Sequence, residues 1–279
     1  MLVGDNITIK ESDFRRISDV IYKHCGINLH EGKKTLVRAR LAKRIRELNF
    51  NDVTSYIDFA LHQDNIHEFY NLVDSISTNL TSFFREKVHF DYIRQTFLPQ
   101  LLQQKKTQGN NQIRIWSAGC SSGEEPYTIA ITMAEELAGK GSWDLKILAS
   151  DVSTRILKTA QAGIYDSSKI KPLSTQQRLK YMTNIKVDGQ ITHQVRPELK
   201  SKISFRYLNL MESWPFKGPF DIIMCRNVMI YFDKPTQTKL VNRYYDCQAK
   251  GGLLCIGHSE SLTNTNHKYK YVMPATYMK

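Results

Sequence analysis

Five short segments of buried-strand character recur through the second half of this chain: Ile113–Ser117, Leu145–Ser150, Ile203–Tyr207, Phe220–Cys225 and Leu253–Gly257. Helical patterns lie between several of them, notably Pro126–Ala138, Ser153–Ala162 and Thr236–Gln248. Strands that are apolar nearly throughout and alternate with helices must be covered on both faces, so the pattern predicts an α/β fold with a largely parallel sheet. The stretch Tyr165–Lys202 breaks the rhythm. It offers a helical piece (Thr175–Met182), then Ile185–Val187, a turn at Asp188-Gly189, and Ile191–Val195. Two short strands flanking an Asp-Gly turn predict a hairpin, and hence a small β subdomain inserted at 165–202.

The first 78 residues read differently. Phe14, Ile17, Val20 and Ile21 recur at helical spacing in a segment that Ser12-Asp13 can cap and that ends near Cys25-Gly26. A second helix is expected over Lys33–Leu48, with Val37, Leu41, Ile45 and Leu48 as its apolar stripe. Two more are expected over Val53–Gln63 and Ile66–Ser77, and no proline occurs before Pro99. The chain thus begins with a small all-α unit.

Charge and composition narrow the function classes. Lys33, Lys34, Arg38, Arg40, Lys43, Arg44 and Arg46 crowd the second helix with no acid among them, within a chain of net charge +12. Such a surface favours encounter with anionic partners without selecting which anion. The N-terminal sequence MLVGDNITIKESDF lacks the basic-then-apolar pattern of an export signal, and no run approaches about 18 apolar residues. Five scattered cysteines without a CxxC pair give no disulfide framework and no zinc signature. A cytoplasmic, monomeric protein without membrane insertion is expected.

Strand Ile113–Ser117 runs into Ala118-Gly119-Cys120-Ser121-Ser122-Gly123-Glu124-Glu125-Pro126 and then into a helix. Small residues at that turn let the backbone approach a ligand at the carboxyl end of the sheet. By itself this is also an ordinary tight turn. The second strand, however, ends in Ser150-Asp151, where an acid can accept from ribose hydroxyls. Glu124 and Glu125 would repel a pyrophosphate and suit a sulfonium or an ammonium group. The interval from Gly119 to Asp151 also exceeds the roughly twenty residues of a dinucleotide fingerprint. These features tilt the reading from NAD to S-adenosylmethionine.

Several longer motifs carry a resemblance. Asn79–Glu86 (NLTSFFRE), Trp116–Tyr127 (WSAGCSSGEEPY), Ala149-Ser150-Asp151, Cys225–Phe232 (CRNVMIYF) and Gly257–Ser261 (GHSES) together resemble the chemotaxis receptor methyltransferase (CheR) family over essentially the whole chain. The resemblance implies a helical domain at 1–78, a linker motif at 79–90 that contributes to the cofactor site, and a Rossmann-like methyltransferase domain at 91–279. It implies transfer of methyl from S-adenosylmethionine to glutamate side chains of membrane chemoreceptors, giving methyl esters and S-adenosylhomocysteine, with no metal. Asn79, Thr81 and Arg85 should line the pocket, Glu125 should meet the methionine end and Asp151 the ribose. Asn209 and Leu210 should flank the adenine, while Arg226 and Asn227 complete the site and Tyr231 stands near the methyl.

Those residue types suit the chemistry. A glutamate with a pKa of about 4.3 is already an anion at neutral pH, so its methylation needs placement and desolvation, not a general base. Arg85 can orient a carboxylate through two parallel donors, and Tyr231 offers an aromatic face and a hydroxyl. The family's substrates present Glu-rich helices, which the basic helix Lys33–Arg46 could attract. His258 is expected to be a packed, hydrogen-bonded histidine. Nucleic-acid methylation is the rival enzyme class, but the chain has no Pro-Pro and no cysteine following proline. A non-catalytic receptor adaptor is the rival outside enzymes, opposed by the joint retention of Arg85, Glu125, Asp151 and Tyr231.

Overall fold

The computed structural model describes residues 7–216 and 218–279. The export-signal reading therefore rests in part on residues 1–6, which lie outside the described residues. Four helices form the N-terminal unit: α1 (Glu11–Cys25), α2 (Lys34–Glu47), α3 (Val53–Ala60) and α4 (Ile66–Ile76). Helix α1 begins one residue before the expected cap, with Lys10 at the N-cap position and no side-chain cap bond. Asp13 instead turns inward, where it is buried and accepts from Thr54 Oγ1 at 2.8 Å. The opposite end follows expectation: Gly26 adopts φ +75° and closes the helix with a bond to Tyr22 O.

A helix not read from the sequence begins within the linker, as α5 (Val88–Tyr92) continuing through a π-turn at Ile93–Phe97 into α6 (Leu98–Thr107). The sheet then builds from β1 (Gln112–Ala118), β2 (Asp144–Asp151), β6 (Ile203–Tyr207), β7 (Phe220–Cys225) and β8 (Gln248–Ile256). Helices α7 (Glu124–Leu137), α8 (Thr154–Ala162) and α11 (Lys234–Cys247) connect or flank them. Strand order is β6-β2-β1-β7-β8 with all five parallel, as the alternation predicts. Two short strands, β9 (Lys270–Met273) and β10 (Thr276–Met278), extend the edge antiparallel with β10 beside β8. The inserted segment forms a separate antiparallel sheet in the order β3-β5-β4, from β3 (Ile164–Asp166), β4 (Met182–Val187) and β5 (Gln190–Val195), accompanied by α9 (Thr175–Tyr181) and α10 (Pro197–Lys200).

Period-two alternation along β1 divides the core. Ile113 and Ile115 face a cluster containing Leu101 and Leu102 of α6 and Ile129 and Met133 of α7. Trp116 and Ala118 face a second cluster, which runs through Tyr244 of α11 into Ile17, Leu41, Ile57 and Leu72 of the helical unit. The helical unit is thus packed onto one face of the sheet by shared apolar burial. Each fully buried Ile or Leu there contributes about 1.5–3 kcal/mol.

Candidate active site

A cleft opens where the carboxyl ends of the parallel strands meet the helical unit and the linker. Its wall includes Cys25 from α1, Leu36, Val37 and Arg40 from α2, and Ile76 from α4. All ten residues singled out from the sequence line it as well: Asn79, Thr81, Arg85, Glu125, Asp151, Asn209, Leu210, Arg226, Asn227 and Tyr231.

The turn after β1 explains why small residues stand there. Gly119 has φ +86°, and a Cβ on it would lie 2.4 Å from Val228 Cγ2, so only glycine lets the loop after β7 close over the strand end. Gly123 starts α7 at φ +96°, where a Cβ would sit 3.0 Å from the Ala160 backbone of α8. Four non-glycine residues around the cleft also have positive φ: Phe84, Glu86, Ser121 and Asn227. Such conformations cost on the order of 1–3 kcal/mol each and persist where the surroundings hold them. Here the holding bonds are Phe84 N–H to Thr128 Oγ1 at 3.1 Å, Ser121 N–H to Asp151 Oδ2 at 2.9 Å, and Asn227 N–H to Glu260 Oε2 at 3.0 Å.

The two acids of the turn separate in role. Glu124 points away from the cleft, fully buried, accepting from Ser122 Oγ at 2.6 Å and paired with Lys169 of the inserted segment at 3.2 Å. Only Glu125 reaches the cleft. Its carboxylate accepts from Ser117 Oγ at 2.7 Å and from Arg226 Nη1 at 3.1 Å.

Arg226 is the hub. It also donates to Glu86 Oε2, at 3.2 Å from Nε and 3.1 Å from Nη2, and to the Arg85 carbonyl. A side chain from the end of β7 therefore ties the linker to the turn after β1. Burial pushes the Glu125 carboxyl above its ordinary range, with Arg226 opposing. Burial also pushes Glu86 up, but Arg226 and the His258 backbone N–H outweigh it and leave that carboxyl lowered. Asp151, at the end of β2, accepts from Ser153 N–H at 3.0 Å as well as from Ser121. Its burial raises the carboxyl against those donors.

The remaining residues are tethered to different degrees. The Asn209 side chain is committed to structure: it donates to His24 O and Glu212 Oε1, while its oxygen accepts from Met211 N–H. It therefore fixes the loop after β6 to the end of α1, and Leu210 follows it into the cleft wall. Asn79 Nδ2 lies 3.3 Å from Ser77 Oγ, and the Asn79 carbonyl accepts from Ser121 Oγ at 3.1 Å. Thr81 lines the cleft half-buried with no side-chain hydrogen bond among the described residues. Arg85 is half-buried and makes one hydrogen bond there, from Nη1 to Leu80 O at 2.7 Å. Tyr231 is half-buried, with Lys33 Nζ 5.1 Å from its ring centroid.

Three positioning residues escaped the sequence reading. Glu86 carries Arg226, Glu260 caps the 225–231 loop by accepting from the N–H groups of Gly257, Asn227 and Ile230, and Arg40 holds the carbonyls of Ile76 and Ser77 at the start of the linker. Glu86 and Glu260 lie in NLTSFFRE and GHSES, so their motifs were visible although their partners were not. Arg40 lay hidden in the basic run.

That run is less available than its composition suggests. Lys34 pairs with Glu11 at 2.8 Å, Arg44 with buried Glu68 at 2.7 Å, and Lys43 lies 3.8 Å from Glu47. Arg38 and Arg46 remain exposed without a side-chain partner among the described residues. His258 is solvent-exposed rather than packed, its ring edge-on to buried His89 at 5.0 Å between centroids.

Chemically, the buried part of the cleft is rich in acceptors: the Glu125 and Asp151 carboxylates, and Asn227 Oδ1, which is buried with no partner among the described residues. Uncommitted donors stand further out, on half-buried Arg85, Tyr231 and Lys33. The deep part suits a ligand bearing an ammonium or sulfonium group and vicinal hydroxyls. The outer part suits an anion.

Comparison with known proteins points to one family. The family description "CheR methyltransferase, all-alpha domain" matches residues 12–77, and "CheR methyltransferase, SAM binding domain" matches residues 79–278. A chemotaxis protein methyltransferase of Borreliella burgdorferi is 42% identical over 98% of this chain and 96% of the relative. Proteins of the same description from Salmonella typhimurium and Escherichia coli are 38% and 36% identical, covering 92% and 95% of this chain and 86% and 90% of theirs.

Proposed function

This chain belongs to the CheR methyltransferase family, and from that premise we propose that it methylates glutamate carboxylates on the cytoplasmic helices of a chemoreceptor, using S-adenosylmethionine. The observation that carries the reading is the ordering of charge along one cleft, with buried carboxylates deep and uncommitted cationic and phenolic donors at half-buried positions.

Asp151 would accept from the ribose hydroxyls, Glu125 and Asn227 Oδ1 from the ammonium end, and Leu210 would cover the base. Asn79 and Thr81 supply the linker's share of the wall, and Asn209 acts by holding Leu210 in place. The bound donor supplies an activated methyl on a cationic sulfur. The chain's residues supply position. Arg85 keeps donors free for a carboxylate, and Tyr231 adds a hydroxyl and a ring face. Alignment of two reactants supplies up to roughly 7–11 kcal/mol of barrier lowering in well-oriented reactions. No residue needs to take a proton, because the incoming carboxylate is already ionised. On this reading the working units are 1–78, the linker 79–90 and 91–279, with the insertion at 165–202, acting as a monomer in the cytoplasm. Among the described residues no helix is long and apolar enough to cross a membrane.

The test is methyl transfer from tritiated S-adenosylmethionine to receptor-containing membranes, with wild type and Arg85→Ala side by side. Base-labile label from wild type and its loss in the variant are expected. Label stable to base would overturn the glutamate assignment.

A further inference from the structure

Behind the cleft, where the linker meets the loop after β8, Glu86, His89 and His258 bring one donor atom each to within 4.8 Å of one another. The reaction proposed above uses neither histidine. His89, on α5, has a side chain with no solvent exposure, and neither ring nitrogen has a hydrogen-bond partner among the described residues. Burying an imidazole in that condition is destabilising, and native structures ordinarily give such a group a partner. Two polar side chains beside it are the other members of the trio. Glu86 Oε2 lies 3.7 Å from His89 Nδ1, beyond hydrogen-bond length, and the His258 ring packs edge-on against His89.

We propose that Glu86, His89 and His258 form a binding site for a divalent transition-metal ion of the zinc type. Two imidazoles and a carboxylate are a donor set that favours zinc, cobalt or nickel over magnesium or calcium. Tetrahedral zinc with ligand bonds near 2.0–2.1 Å places its donors about 3.3 Å apart, so a trio spread over 4.8 Å must contract by up to roughly 1.5 Å. His258 is the member free to move, since its ring is exposed. The neighbouring guanidinium of Arg226 is not a bar. It is bracketed by Glu86 and Glu125 at 3.1 Å each, which leaves the cluster with one net negative charge while the histidines are neutral. A fourth position would face solvent beside His258. The ion would pin α5 to the loop after β8, two segments now joined through Glu86 and the His258 backbone N–H at 3.1 Å.

The experiment is a titration of tag-free, chelator-stripped protein with Co²⁺, followed by absorption and then by Zn²⁺ competition. Saturable binding with the visible bands of four-coordinate cobalt, reversed by Zn²⁺, is expected. His258→Ala should weaken it at least about tenfold, the loss expected when even a supporting partner of a metal site is removed. His62→Ala, at an exposed histidine elsewhere on the surface, should leave it unchanged. Because His258 is exposed, its variant should fold and bind S-adenosylhomocysteine as wild type does, which separates loss of the ion from loss of the fold. Octahedral cobalt spectra, no saturable binding, or equal affinity in His258→Ala would overturn the proposal.

Discussion

Replacing Arg226 by leucine tests the hub on which the cleft is assembled. The guanidinium side chain is 2% exposed and holds Glu86 and Glu125, each at 3.1 Å, with those side chains 12% and 11% exposed. At that separation and an effective dielectric of about 20, each pair is worth roughly 5 kcal/mol before desolvation is charged against it. Desolvation removes much of this for the intact pair, but deleting one partner strands the others, and such deletions cost about 3–5 kcal/mol. For domains of this size that corresponds to a fall in Tm of roughly 6–20 °C.

The pH dependence supplies a second arm. In wild type Glu86 is held below its ordinary range, so its contribution is present above the unfolded-state pKa and is lost as pH falls through the lowered folded value. Without Arg226, burial is opposed chiefly by the His258 N–H at Glu86 and the Ser117 hydroxyl at Glu125, and both carboxyls shift upward. The variant is then penalised at neutral pH and relieved as acid protonates them. Urea unfolding at several pH values should show the deficit shrinking on acidification. A cycle with Glu86→Gln should return a coupling of about 1–3 kcal/mol. A deficit under about 1 kcal/mol at neutral pH, with no coupling, would refute the hub.

Asp151→Asn should weaken S-adenosylhomocysteine binding by about 10- to 100-fold by calorimetry, as expected when charge-assisted hydrogen bonds are lost. Because burial raises the Asp151 carboxyl, wild-type affinity should fall on acidification at a pH above the ordinary aspartate value of about 3.9. Arg85→Ala should lower kcat/KM for receptor methylation by about 10- to 100-fold while leaving cofactor affinity within about threefold; equal losses in both would reassign it to cofactor binding. Arg38→Ala with Arg46→Ala should raise KM for receptor and flatten its salt dependence at unchanged stability. Arg44→Ala should instead cost about 2–3 kcal/mol, after discounting for its partial exposure, because Glu68 is left buried without a counter-ion, held only by Tyr56 and Asn71.

The parallel sheet was legible because its strands are buried on both sides and read as apolar runs, and the Asp-Gly turn announced the inserted hairpin. Strands β9 and β10 were not, since four and three residues around Pro274 carry too short a pattern. Helix α5 and its continuation through the π-turn were likewise unread. Asp13 looked like a cap because local sequence shows residue type but not the distant Thr54 that draws it inward. Eight of the ten cleft residues lie in the quoted motifs, while Asn209 and Leu210 came from the resemblance alone, by their place after the third strand. What each side chain is bound to, such as Asn209 to His24 or Arg44 to Glu68, depends on tertiary neighbours that no local window contains. The same limit made the basic helix look like a uniform cationic face when Arg40 and Arg44 are internal struts.

The mixed origin of the cleft wall has a further consequence. Its floor is rooted in strand ends, while its roof belongs to α1, α2 and the end of α4, clipped on through Asn28 N–H to Tyr231 O and Tyr22 Oη to Asp233. Affinity for whatever lies between them therefore reports how firmly the roof is seated. A ligand gripped from both sides glues the two halves together, and a partner that pries at the roof loosens the ligand without touching it.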